Sequence, residues 1–222
     1  MNLLFLALAP IVVIIVYIYN KDKYEKEPKM FLFYNFLLGA FVSIFITTIL
    51  SLVFNYHVPL KESNVVQLFI KAFFVVAFTE EFSKYIIVRY FAQPNKAFNE
   101  PFDGIMYAVM VSMGFAATEN IFYVLDGGVR SGVLRAFTAV PAHASFAILM
   151  GYFMGKAKFS NNRITYNLLG LLLAMVFHGS YDFFLFIDFV PGIWVGAFVS
   201  LGIGIVLARK AIKKHQEKSY FK

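Results

Sequence analysis

Glu80 and Glu81 stand side by side inside an apolar run, Phe78-Thr79-Glu80-Glu81-Phe82-Ser83-Lys84. An ionised group at the centre of a membrane helix costs at least about 2.5 to 3.5 kcal/mol, so carboxylates kept there point to chemistry or ion handling. Adjacent carboxylates suit general acid–base work. Lys84 follows Glu80 by four residues and Glu81 by three, on the same helix face, and neutralises one of them. One ammonium cannot satisfy both, which leaves a carboxylate for reaction. Three further groups join them. Glu119 ends Phe115-Ala116-Ala117-Thr118-Glu119. His143 follows Pro141, whose missing N–H frees a carbonyl and can turn the helix toward a cavity. His178 and Asp182 share a helix face, a spacing that suits a metal-binding imidazole with a second carboxylate ligand, or a histidine oriented by an aspartate. Taken singly, each has a packing explanation: a carboxylate bonded to a hydroxyl, or an imidazole bonded within a core. His57 and His215 read as solvated loop and tail residues.

These side chains need a scaffold within a bilayer. Of 222 residues, 60% are hydrophobic and 15% charged, against roughly 45 to 50% apolar in a soluble domain. The charges fall between runs near the 20 residues that cross hydrocarbon. Seven apolar segments follow, at about 3–19, 30–54, 65–90, 101–125, 132–155, 166–187 and 191–208, so the expected fold is all-α, a polytopic membrane helix bundle forming a single domain over 1–222. Lys and Arg crowd one side, at Lys21 to Lys29, Arg89 and Lys96, Lys156 to Arg163, and Arg209 to Lys222, whereas Lys61, Arg130 and Arg135 fall on the other. The positive-inside rule then sets the N-terminus outside and the C-terminus in the cytoplasm. It also explains the net charge of +7 without nucleic acid. The first segment has no basic stretch before it and reads as an anchor rather than a cleaved signal. The absence of cysteine excludes disulfide and thiolate chemistry. Gly151 with Gly155, and Gly192 with Gly196, have the small-xxx-small spacing of close helix packing.

Counting about 1.5 Å per residue from the external helix ends puts Glu81 about 15 Å deep, Glu119 about 10 Å, His143 about 18 Å, His178 about 15 Å and Asp182 about 9 Å. Four helices thus bring polar groups to the outer half of the membrane. The third segment is costly alone: from Lys71 to Tyr90, about nine Phe, Val and Ile at roughly 0.3 to 0.6 kcal/mol each oppose three central charges at about 3 kcal/mol apiece. It requires neighbours, water or a cation along its polar face.

The order Glu80-Glu81-x-x-Lys84, Phe115-x-x-x-Glu119, His143 and His178-x-x-x-Asp182 resembles the PrsW family of bacterial intramembrane proteases, over the third to sixth segments. It is more distantly similar to the CAAX prenyl protease and bacteriocin-immunity group, whose pattern is nearer EExxxR, FxxxH and HxxxN. Here Tyr85 stands in place of that Arg, and Glu119 and Asp182 in place of the His and Asn, which favours PrsW. The resemblance implies a multi-pass protein of the bacterial cytoplasmic membrane that cuts a single-span membrane protein, typically an anti-sigma factor, near its external side in the first step of regulated proteolysis. With the family as support, Glu119, His143 and His178 form a His2Glu set that would hold Zn2+ and leave one position for water. Glu80, chosen by motif position, is then the base, Glu81 and Lys84 support it, and Asp182 orients His178 from behind. A metal-free alternative has Glu80 and a histidine activate water, with His178 and Asp182 at the oxyanion. A different class, a proton or cation transporter, also uses intramembrane Glu, His and Asp, but no inverted repeat is visible and the groups gather at one depth.

Overall fold

The computed structural model describes residues 3–58, 60 and 64–222; Lys61, read above as an external charge, lies outside them. Among the described residues the chain is helical throughout, with no strand. Seven rods follow one another among these residues: α1 (Leu3–Lys21), α2 (Lys29–His57), α3 (65–92), α4 (Pro101–Phe137), α5 (Ala139–Lys158), α6 (Arg163–Phe186) and α7 (Val195–Glu217). Among the described residues, five stretches are long and apolar enough to cross a membrane: α1, α2, the 58-residue run Pro101–Lys158 that holds α4 and α5, α6 and α7. The protein is therefore a multi-pass membrane protein. Its α3 carries Lys71, Glu80, Glu81, Lys84 and Arg89 along its length.

α4 is the central post. Every residue from Pro101 to Ala117 is buried, as expected for a helix apolar on all sides. Its start is set locally. Pro101 occupies the first helical position, and Asp103 Oδ2 accepts from the Asn99 and Glu100 backbone N–H groups at 2.7 and 2.8 Å in a capping box. The side of α4 that meets α5 is cut down to glycine. A Cβ on Gly151 would lie 2.3 Å from the Gly104 carbonyl oxygen, so only hydrogen at both positions lets the backbones touch. Gly155 similarly faces Pro101. The second expected pair behaves differently, because Gly196 packs on the Phe184 ring whereas Gly192 precedes α7 at φ 79° with nothing near it.

Two boundaries differ from the sequence expectation. The loop expected between 125 and 132 is helical: α4 breaks at Gly128 (φ 63°, ψ −154°), a conformation open to glycine, and runs on through a short arm to Phe137. The next rod then starts at Ala139 rather than near Gly132. Pro141 consequently falls in the first turn of α5, where its absent N–H has no helical partner to lose, so it does not bend the helix interior. His215 also departs from expectation. It is fully buried and stacks on Tyr152 with ring centroids 4.3 Å apart, whereas His57 is exposed as expected.

α3 is held at its C-terminal end and from behind. Gln93, just past it, donates to the Met154 carbonyl at 2.8 Å and to Asn167 at 3.0 Å, tying α3 to α5 and α6. Along its middle, Ser83 Oγ meets Ser43 Oγ at 2.6 Å and Thr47 Oγ1 at 2.8 Å, and Thr79 Oγ1 meets Ser51 Oγ at 3.3 Å. This hydroxyl seam joins the π-helical turn 38–43 and the following turns of α2 to α3. A second π-helical turn, 71–77, leads directly into the glutamates; such turns gather at functional sites.

Candidate active site

α3 turns Glu80, Glu81 and Lys84 away from the hydroxyl seam and toward α5 and α6. All three are buried, with Lys84 1% exposed. Lys84 Nζ lies 2.7 Å from Glu81 Oε1, 3.4 Å from Glu80 Oε2 and 3.2 Å from His143 Nδ1. It also sits 4.2 Å above the centre of the Phe115 ring, which favours a cation electrostatically. His178 of α6 brings Nδ1 to 2.8 Å from Glu81 Oε1 and Nε2 to 3.2 Å from Asp182 Oδ2. Its ring stacks on Phe146 and meets the His143 ring edge-on, with centroids 5.4 Å apart.

The expected residues therefore assemble, although not as one shell. One donor atom each from Glu80, Glu81, His143 and His178 lies within 4.8 Å of the other three. Glu119 stands outside this group: its Oε2 accepts from His143 Nε2 at 2.9 Å and from Arg135 Nη2 at 2.6 Å. Asp182 meets His178 Nε2 at the cavity wall, a contact that the spacing allows. The two glutamates also separate. Glu80 lines a cavity of about 560 Å³ together with Glu119, Arg135, His143, His178 and Asp182. Glu81 lies beneath it, 1% exposed, and its Oε2 has no hydrogen-bond partner among the described residues.

Two carboxylates and two imidazoles form a donor set that suits a zinc-type ion. The unpartnered Glu81 oxygen and the inward Nδ1 of His143 fit such an ion. Three of these donors now hold the Lys84 ammonium, so an arriving metal would contend with that charge. Sequence reasoning missed two contributors. Arg135 reads as a loop charge, and its distance of 16 residues from Glu119 matches no helical spacing. The seam residues Ser43, Thr47 and Thr79 are short hydroxyls in apolar helices, where only their partners 28 to 40 residues away reveal them.

Residues 27–211 match the family described as "PrsW family intramembrane metalloprotease". Protease PrsW of Geobacillus kaustophilus (strain HTA426) is 37% identical over 199 residues, 89% of this chain and 86% of that protein. Protease PrsW of Clostridioides difficile (strain 630) is 34% identical over 196 residues, 85% of this chain and 81% of that protein. Protease PrsW of Bacillus subtilis (strain 168) is 35% identical over 180 residues, 80% of each. No solved structure matches the chain. With buried glutamates and histidines converging inside a membrane-type helical bundle, the chain belongs to the PrsW family of intramembrane metalloproteases.

Proposed function

We propose that this intramembrane protease cuts a single-span membrane protein, such as an anti-sigma factor, near the external face of a bacterial cytoplasmic membrane, as the first cut of regulated proteolysis. The observation that carries the reading is the convergence of Glu80, Glu81, His143 and His178 beside one cavity. The side of attack is supported by the cavity walls. They reach Lys71, Thr138 and Phe186, at the end of the bundle away from the Lys-rich connections, which the positive-inside rule puts outside. The same rule supports seven spans with the N-terminus external.

In this reading Glu80 faces the cavity and is the base. Its carboxylate takes a proton from a water whose oxygen attacks the scissile carbonyl carbon, and passes it to the amide nitrogen as the C–N bond breaks. The Lys84 ammonium, buried beside the two glutamates, offsets their negative charge and supports the base. Glu81 holds Lys84 and His178 in place. Glu81, His143 and His178 would hold a metal ion, with Glu80 left beside it as the base, and a bound zinc ion would supply Lewis-acid activation of the water. Glu119, expected from the sequence as a ligand, is assigned here to orient His143, because its Oε2 meets the outward Nε2. Asp182 does the same for His178.

The test compares fragments of single-span membrane proteins in cells carrying wild type or Glu80→Gln at equal expression. A cut near the external boundary with wild type alone supports the proposal, and identical fragments under several envelope stresses would sink it. Metal analysis of the purified protein addresses zinc separately. Stoichiometric zinc lost in His178→Ala supports the metal assignment, whereas cleavage surviving exhaustive chelation transfers the chemistry to Glu80, the histidines and Lys84.

A further inference from the structure

Arg135 has no part in the chemistry above, yet it lines the same cavity. It is carried on the arm that leaves α4 at Gly128 and turns back at Thr138, whose φ and ψ are −124° and −76°. Its guanidinium addresses two neighbouring side chains at once. Nε donates to Asn120 Oδ1 and Nη2 to Glu119 Oε2, each at 2.6 Å, while the group lies 4.0 Å over the Tyr123 ring. A planar fork suits this arrangement and a lysine does not. Asn120 is itself fixed, since its amide donates to the Ala7 carbonyl of α1 at 3.1 Å. The carboxylate of Glu119 is thus clamped by a group that is also clamped.

The consequence falls on His143. Its Nε2 faces Glu119 Oε2 at 2.9 Å, an acceptor, and its Nδ1 faces Lys84 Nζ at 3.2 Å, a donor. Both neighbours call for the tautomer with its proton on Nε2 and its lone pair on Nδ1. We propose that Arg135 is a positioning residue of this protease: by holding Glu119, it fixes the ring and tautomer of His143 so that Nδ1 is presented to Glu80, Glu81 and His178. This rests on the reading of that cluster as the reacting site. A purely structural role, fastening the arm to α4, would leave the His143 ring unchanged.

The experiment records imidazole 15N spectra of the full chain, 15N-labelled at histidine, in lipid bilayers without metal or substrate. His143 is assigned by its disappearance in His143→Asn. Wild type is expected to show one Nε2–H tautomer, Arg135→Gln a mixture of tautomers, and Arg135→Lys an intermediate pattern. Arg130→Gln, an exposed arginine on the same arm, is expected to match wild type. Because Arg135 acts through Glu119, adding Arg135→Gln to Glu119→Gln should produce no further change. Zn2+ affinity, read by competition with a chelating dye, should fall about 10- to 100-fold in Arg135→Gln. A His143 pattern unaltered in folded Arg135→Gln, or fully additive effects in the double variant, would overturn the proposal. If Arg135→Gln does not fold, Arg135→Lys decides on the same readout. The spectra require no cleavage, so a failed protease assay and a failed positioning role are told apart.

Discussion

Lys84 meets two of the three side chains that would hold a metal ion, Glu81 and His143, as well as the base Glu80, and this sets an expectation distinct from loss of cleavage. With Lys84→Gln the competing ammonium is gone, and Zn2+ should bind about tenfold more tightly, a difference of about 1.4 kcal/mol, while cleavage is lost. Dye competition on purified protein checks the first part, and weaker zinc binding would show that Lys84 supports the metal instead of contending with it. At this scale the sequence was informative where spacing carries meaning. Lys84 falls one helical turn from both glutamates, and Asp182 one turn from His178, so both contacts were readable. Glu119 was recognisable as a member of the site but not in its position, because which oxygen meets which nitrogen is decided by the packing of α4 against α5. Arg135 was invisible for a related reason: its partners lie across a glycine break that resembles a loop.

The contact of α4 with α5 is where element geometry controls the site, since these rods carry Glu119 and His143. Gly151→Val would drive a side chain into the Gly104 carbonyl, 2.3 Å from the Cβ position, and should cost about 3 kcal/mol with a matching loss of cleavage. Gly202→Ala, in α7 with nothing within 4 Å, should instead be neutral or stabilise by up to about 1 kcal/mol. Thermal unfolding in detergent compares the two, and equal effects would refute close packing as the reason for Gly151. The apolar runs announced most of these rods, because a bilayer demands long hydrophobic helices whatever they do. Their internal features were harder to see. The π-helical turns 38–43 and 71–77 pack chiefly on α4 and α6 respectively, contacts that no local pattern announces, and although Ser43, Thr47 and Ser51 recur every four residues, that spacing does not name their partners on α3.

Across the described residues, buried carboxylates gather in two places, the site and the connection between α1 and α2 with the start of α4. In that connection Asp22 and Glu27 are buried, next to Glu100 and Asp103 at the start of α4. Burial pushes the Asp22 carboxyl up to about 6, against the opposing pull of Lys26 and with help from Glu100. Burial and then the adjacent Asp103 hold Glu27 well above the usual carboxylate range. A carboxyl raised in the folded state favours folding while protonated, so stability should decline as pH climbs from the ordinary Asp value of 3.8 through about 6. Asp22→Asn should flatten that decline and raise the melting temperature at pH 7.5 by about 3 °C; an unchanged pH profile would contradict it. The natural absence of cysteine makes orientation directly testable. Single cysteines at Asp188 and Asn95 should respectively react with and resist an impermeant maleimide in intact cells, and the reverse would invert the proposed topology. Finally, the pairing of Lys84 with Glu80 and Glu81 is complete within one turn of α3. During biosynthesis this helix must leave the translocon before α5 and α6 have been made. Its own lysine already offsets one of the two negative charges at that moment, so α3 can partition into lipid ahead of its histidine partners and wait there for the site to be completed.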